Sequence, residues 1–207
     1  MTATSATLIT TLASRVSASG STQAIRLASV LFMTVLTAAA AQVSAPLPFT
    51  PVPFTFQPMV VLLSGLVLGA RLGAASQVLY LAAGIAGLPV FAGSIALPPG
   101  ALRLLGPTGG YLLAYPLAAY VTGCLAQRGL DRRYFTSVVA MLAGLIVIYA
   151  GGAAWLGLFA RTAYGTAAIG IQPALLAGVV PFVIPDLIKL AVAAAIVPGI
   201  WRLMGRG

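Results

Sequence analysis

Asp186 and Lys189 stand three residues apart in Pro181-Phe182-Val183-Ile184-Pro185-Asp186-Leu187-Ile188-Lys189, inside an apolar run over 175–200. That spacing puts an acid and a base on one helical face. Lys189 is the only lysine in the chain, and Asp186 is one of only two acids. A charge at the centre of a membrane helix costs about 2.5–3.5 kcal/mol on insertion scales, so ionisable residues there tend to mark ligand or ion paths. The chemistry on offer is recognition: a carboxylate accepts hydrogen bonds, while an ammonium donates them or neutralises an anion. The bland alternative is a mutual ion pair with no ligand.

Two further segments carry groups suited to a ligand. In Arg103-Leu104-Leu105-Gly106-Pro107-Thr108-Gly109-Gly110-Tyr111, glycines would let backbone amides approach a bound molecule, Thr108 offers a hydroxyl and Arg103 a positive charge for an anionic group. A turn capped by Thr108 is the alternative. Residues 45–57 hold four prolines, three phenylalanines and no charge. Such a segment is stiff and extended, and serves either as a connector or as a wall whose aromatics face a ligand.

The inventory excludes much else. With no histidine and only Asp131 and Asp186 as acids, histidine acid–base and paired-carboxylate chemistry are unavailable, and no enzymatic role is expected. The single cysteine, Cys124, permits no disulfide framework and no cysteine-based metal site, so no metal is expected; it reads as a small apolar residue. Asp131, between Arg128 and Arg132, reads as part of a solvated charge cluster. A net charge of +9 comes from 11 basic residues scattered between apolar runs, which is a topology signal and not a nucleic-acid patch.

The elements that must position these groups are membrane helices. Hydrophobic residues make up 60% of the chain and charged ones 6%, so a lipid bilayer is its natural solvent. Apolar runs at 24–43, 57–70, 74–88, 111–126, 135–159 and 175–200 predict an all-α bundle of six transmembrane helices. Residues 1–23 read as a short flexible segment and 24–207 as one membrane domain. The second, third and fourth runs are shorter than the ~20 residues a straight span needs, so they borrow flanking residues or are partly re-entrant.

Six spans with both termini cytoplasmic place Arg15, Arg26, Arg71, Arg128, Arg132, Arg133, Arg202 and Arg206 inside, with Arg103, Arg161 and Lys189 outside. The first run also resembles a signal peptide ending in Thr37-Ala38-Ala39-Ala40-Ala41, but the apolar chain downstream favours a retained span. Gly65/Gly69 and Ala24/Ala28, each four apart, permit close helix contact. The glycine pair suits packing within the bundle. Ala24 and Ala28 suit either that or contact with a separate membrane subunit.

Four motifs in order, Pro51-Val52-Pro53-Phe54-Thr55-Phe56-Gln57, Gly87-Leu88-Pro89-Val90-Phe91, Gly106-Pro107-Thr108-Gly109-Gly110-Tyr111-Leu112 and Pro181-Phe182 with Asp186-Leu187-Ile188-Lys189, resemble those of the BioY family, the biotin-binding S components of energy-coupling factor (ECF) transporters. The likeness spans nearly the whole chain from Ala24. One departure is that Ile184 and Pro185 stand where the family has proline and glycine, with the spacing from Pro181 to Asp186 kept.

The resemblance implies the six-helix S-component fold and a site toward the outer face of a bacterial cytoplasmic membrane. It also implies biotin uptake driven by two ATPase subunits through a membrane coupling subunit. The chain itself carries no cofactor and no ATP-binding Gly-Lys-Ser/Thr loop, since Lys189 follows Ile188. On this reading Asp186 accepts from the ureido N–H groups, and Lys189 or Arg103 meets the carboxylate or orders Asp186. Thr108 and Gln57 bond polar edges, Gly109 and Gly110 allow close approach, and Phe54, Tyr80, Phe91 and Tyr111 form apolar walls. The rival class is a self-sufficient secondary transporter coupled to an ion through Asp186.

Overall fold

The computed structural model describes residues 7–9, 11, 22–93, 99–160 and 169–205. Arg15, Arg161, Arg206 and most of the 1–23 segment lie outside the described residues. The described chain is almost entirely helical: α1 (Thr22–Gln42), α2 (Gln57–Leu68), α3 (Ala70–Ile85), α4 (Gly109–Leu125), α5 (Tyr134–Leu158), α6 (Ile171–Gly178), α7 (Val180–Ala194) and α8 (Ile196–Leu203). A short 3-10 helix, Ala101–Leu105, precedes α4, and a π-helical turn, Ala126–Leu130, follows it.

Four described stretches are long and apolar enough to cross a membrane: Thr22–Gln42, Gly109–Leu130, Tyr134–Leu158 and Val180–Leu203. The expected second and third spans are shorter pieces of 12 and 16 residues. At 1.5 Å per residue the first of these reaches only about 18 Å. Between them the chain turns at Gly69, whose φ of 81° lies in the left-handed region where glycine alone is unstrained. The run expected over 175–200 is likewise interrupted, by Val179 with φ −122° and ψ −59° and by Ala195 at the junction of α7 and α8.

The helices approach closely because small residues line their crossings. A side chain on Gly65 would collide with the Ala119 carbonyl, and one on Gly123 with the Ala70 backbone, so α2, α3 and α4 meet nearly backbone to backbone. Gly65 thus serves the intrabundle packing expected of it, whereas Gly69 makes the turn. Tyr80, Leu62, Leu66, Met141, Ile148 and Leu156 are fully buried between α2, α3, α4 and α5. A polar seam joins α1 to this core: Gln77 Nε2 donates to Thr37 Oγ1 (3.3 Å) and Ser64 Oγ (3.1 Å), and Thr34 Oγ1 donates to the Ser76 carbonyl (2.9 Å). In an apolar surrounding such bonds hold helices together where hydrophobic burial gives little.

Asp131 is not the solvated residue the sequence predicts. It is buried, accepts a 2.8 Å hydrogen bond from Trp201 Nε1 on α8, and lies 3.5 Å from Arg132 Nε. The Arg132 guanidinium stacks 3.6 Å above the Trp201 ring. Burial pushes the Asp131 carboxyl above its ordinary range, and the Trp201 and Arg132 contacts oppose that. Pairing with an indole from the far end of the chain was invisible in the local run of arginines. Trp201→Phe leaves the buried carboxylate one donor short and is expected to cost about 1–3 kcal/mol. Thermal unfolding in detergent checks this; an unchanged midpoint would contradict it.

Candidate functional site

A cavity of about 940 Å³ opens between the 44–58 segment, the 91–93 and 102–108 loops and α4, α5 and α7. Its wall is mostly apolar, with Leu47, Pro51, Val52, Phe91, Leu112 and Phe182 among the lining residues, and a few polar groups converge on it. That combination is the usual form of a small-molecule site.

The polar groups arise from where helices break. Val179 ends α6, and α7 begins with Pro181 in its first turn, where the missing N–H costs nothing. Pro185, inside α7, frees the Pro181 carbonyl from the helical ladder. Asp186 follows at once, and Lys189 lies one turn on. The two form an ion pair of 2.5 Å with side-chain exposures of 5% and 8%, so neither charge is given up to bulk solvent. Asp186 Oδ2 also accepts from the Tyr149 hydroxyl on α5 at 2.7 Å.

Lys189 Nζ reaches across to donate to the Thr55 carbonyl (2.7 Å), and sits 4.1 Å above the Phe54 ring. Thr55 belongs to a two-stranded antiparallel pair, β1 (Ser44–Ala45) and β2 (Phe54–Thr55), in register Ser44↔Thr55 and Ala45↔Phe54, which closes the proline-rich loop into a wall. The lysine therefore fastens that wall to α7.

Of the residues singled out in the sequence, Asp186, Lys189, Arg103, Thr108, Tyr111, Gln57 and Phe91 line the cavity. Arg103 donates to the Ala92 carbonyl at 2.8 Å, joining the two loops at the rim. Burial pulls its guanidinium below its ordinary range, though an arginine remains charged at neutral pH. Thr108 sits at the N-cap of α4 without making a side-chain cap bond. Gln57 Nε2 donates to the Tyr80 hydroxyl (2.6 Å), which in turn donates to the Val90 carbonyl (3.1 Å). Tyr111 spans the bundle, its hydroxyl donating 2.8 Å to the Gly178 carbonyl at the end of α6.

Four residues sit elsewhere. Tyr80 is fully buried behind the wall, edge-on to Phe91 with ring centroids 5.4 Å apart. Phe54 lies beneath the Lys189 ammonium instead of facing the cavity, and Phe49 of the same loop points outward at 66% exposure, so prolines and not aromatics form this wall. Gly109 and Gly110 are absent from the lining: a side chain at either would collide with Leu104, Gly151 or Trp155. Their smallness seats α4 against α5 and the 3-10 helix, and does not open backbone to a ligand.

Ala24 and Ala28 lie on the exposed face of α1, the least buried of the four described membrane-length stretches. Sequence reasoning missed Tyr149 and Tyr115, which line the cavity from within long apolar runs. The signal available for Tyr149 was a lone polar group in the middle of the most apolar helix.

Comparison with known proteins decides the relationship. The family model described as the BioY family matches residues 10–206. The chain belongs to the BioY family. Among BioY relatives, it is 42% identical over 161 residues to the probable biotin transporter BioY of Pyrococcus horikoshii, covering 78% of this chain and 86% of that one. It is 43% identical over 150 residues to the biotin transporter BioY of Thermotoga maritima, covering 72% and 81%. The 2.1 Å crystal structure of the S-component for biotin from an ECF-type ABC transporter superposes with a TM-score of 0.75 at 28% identity, covering 89% of this chain and 93% of that one.

Proposed function

We propose that this BioY chain captures biotin from the outer side of a bacterial cytoplasmic membrane, as the substrate-specific subunit of an ECF-type importer. The observation that carries the reading is the Asp186–Lys189–Tyr149 constellation on the wall of a largely apolar cavity, in a chain related to biotin transporters. Biotin offers a ureido group with N–H donors and a carbonyl acceptor, an apolar thioether ring and a valerate carboxylate. Asp186 supplies acceptor lone pairs to the N–H groups. Of the three donors on Lys189 Nζ, one faces Asp186 and one Thr55, which leaves a third for the ligand carbonyl or carboxylate. Arg103 at the rim supplies a second positive charge, and Thr108 and Gln57 add hydrogen-bonding edges.

The arrangement in the membrane follows the arginines. Six spans with both termini cytoplasmic, counting α2 and α3 as the short second and third passes, put the basic loops inside. Ala24 and Ala28 on the outward face of α1 then offer a smooth surface to the coupling subunit, whose two ATPases supply the energy from ATP.

Asp186→Asn keeps the shape and removes the charge, so biotin affinity is expected to fall at least about ten-fold, the scale of a hydrogen bond to a charged group. Titration calorimetry on folded variant checks it; unchanged affinity would remove Asp186 from the site. Liposome uptake separates the transport classes. Uptake only with the coupling module and ATP supports the S-component reading, whereas uptake by the lone chain with proton flux would replace it by a secondary transporter.

A further inference from the structure

We infer that Tyr149 is a positioning residue, one that acts on the ligand through Asp186; the inference rests on the reading of Asp186 as the acceptor for the ligand's N–H donors. Asp186 is held from two sides. Lys189, on its own helix, pairs with Oδ1, and Tyr149, from α5, donates 2.7 Å to Oδ2. Lys189 by itself cannot fix the carboxylate plane, because an ammonium is a rotatable point charge on a flexible stem. It is moreover shared with the Thr55 carbonyl on β2.

The phenol is the opposite kind of partner: a rigid ring with a single O–H, carried by the 25-residue helix α5. Its donation fixes where Oδ2 lies, and so sets the orientation of the carboxylate on the wall of the cavity that both residues line. A carboxylate with one oxygen held by a neutral donor and the other by a cation loses its rotational freedom. Preorganisation of this kind raises affinity without adding a contact to the ligand.

The test uses the fact that the chain holds two aspartates and no glutamate. Protein carrying 13C at the aspartate carboxyl carbons gives one signal for Asp131 and one for Asp186, assigned by loss of the latter in Asp186→Asn. In ligand-free Tyr149→Phe, the Asp186 signal is expected to shift and broaden while that of Asp131, at the other end of the bundle, stays in place. An Asp186 signal unmoved by the substitution would overturn the inference whether or not biotin is the ligand.

The second arm is a double-variant cycle read by biotin titration. Tyr149→Phe is expected to weaken binding about ten-fold, and adding it to Asp186→Asn is expected to weaken binding no further, because there is no carboxylate left to orient. Additive losses would assign Tyr149 a ligand contact of its own and overturn positioning. Absence of biotin binding in the folded wild type, with the carboxyl signal still responding, would sink the ligand assignment and leave Tyr149 as the orienter of Asp186.

Discussion

Lys189→Met is expected to abolish measurable biotin binding and to lower stability by about 3–5 kcal/mol, the penalty for leaving the other half of a buried ion pair unmatched. Methionine fills much the same volume, so the loss is electrostatic. Three contacts go at once: the pair with Asp186, the bond to the Thr55 carbonyl and the cation over Phe54. The first leaves a carboxylate with only Tyr149 as its donor among the described residues, and the second releases the proline-rich wall from α7. Adding Asp186→Asn to Lys189→Met removes the stranded charge and should restore much of the thermal midpoint, yet none of the affinity. Thermal unfolding with and without biotin reads both effects. A single variant that melts at the wild-type temperature would show that the pair is not buried as described.

Gly110→Ala is expected to have the second largest effect, although it adds only one methyl group. The new Cβ would collide with the Trp155 side chain and the Gly151 carbonyl, both on α5, and backbone cannot yield as a flexible side chain does. Overpacking of this kind costs about 1–3 kcal/mol, more where backbone is the obstacle. It also reaches the site. Trp155 Nε1 donates to the Gly106 carbonyl at 3.0 Å, and Gly106, Thr108 and Tyr111 line the cavity, so displacing Trp155 moves the rim. Lower thermal stability together with weaker biotin binding is the expected pair of results. Wild-type values for both would mean that α4 and α5 are not in the contact described.

These two predictions mark where the sequence was legible and where it was not. The pairing of Asp186 with Lys189 could be read from spacing alone, since three residues on a helix is a contact. Membrane character followed from composition, and of the Gly65/Gly69 pair Gly65 does line a helix crossing, while Gly69 makes a turn. What failed were inferences about direction in space.

Glycines before a helix suggested a backbone open to a ligand, but Gly109 and Gly110 face a tryptophan some 45 residues away in the chain. An aromatic-rich loop suggested an aromatic wall, yet Pro46, Pro51 and Pro53 line the cavity while Phe49 is exposed and Phe54 lies beneath Lys189. Asp131 among arginines read as solvated because Trp201, its donor, lies 70 positions on. Tyr149 was hidden for the same reason, since its partner comes from another helix. Local spacing reports contacts within an element, whereas contacts between elements depend on how the bundle closes.

The most direct test of the central claim is calorimetric titration of the purified, detergent-solubilised protein with biotin, with thiamine and riboflavin as controls. Saturable binding of biotin alone, accompanied by thermal stabilisation, is the result predicted for a biotin-capture subunit. Neither heat nor stabilisation with biotin, in protein shown to be folded, would contradict the assignment of the ligand and leave the helical bundle and its charged pocket in need of another occupant.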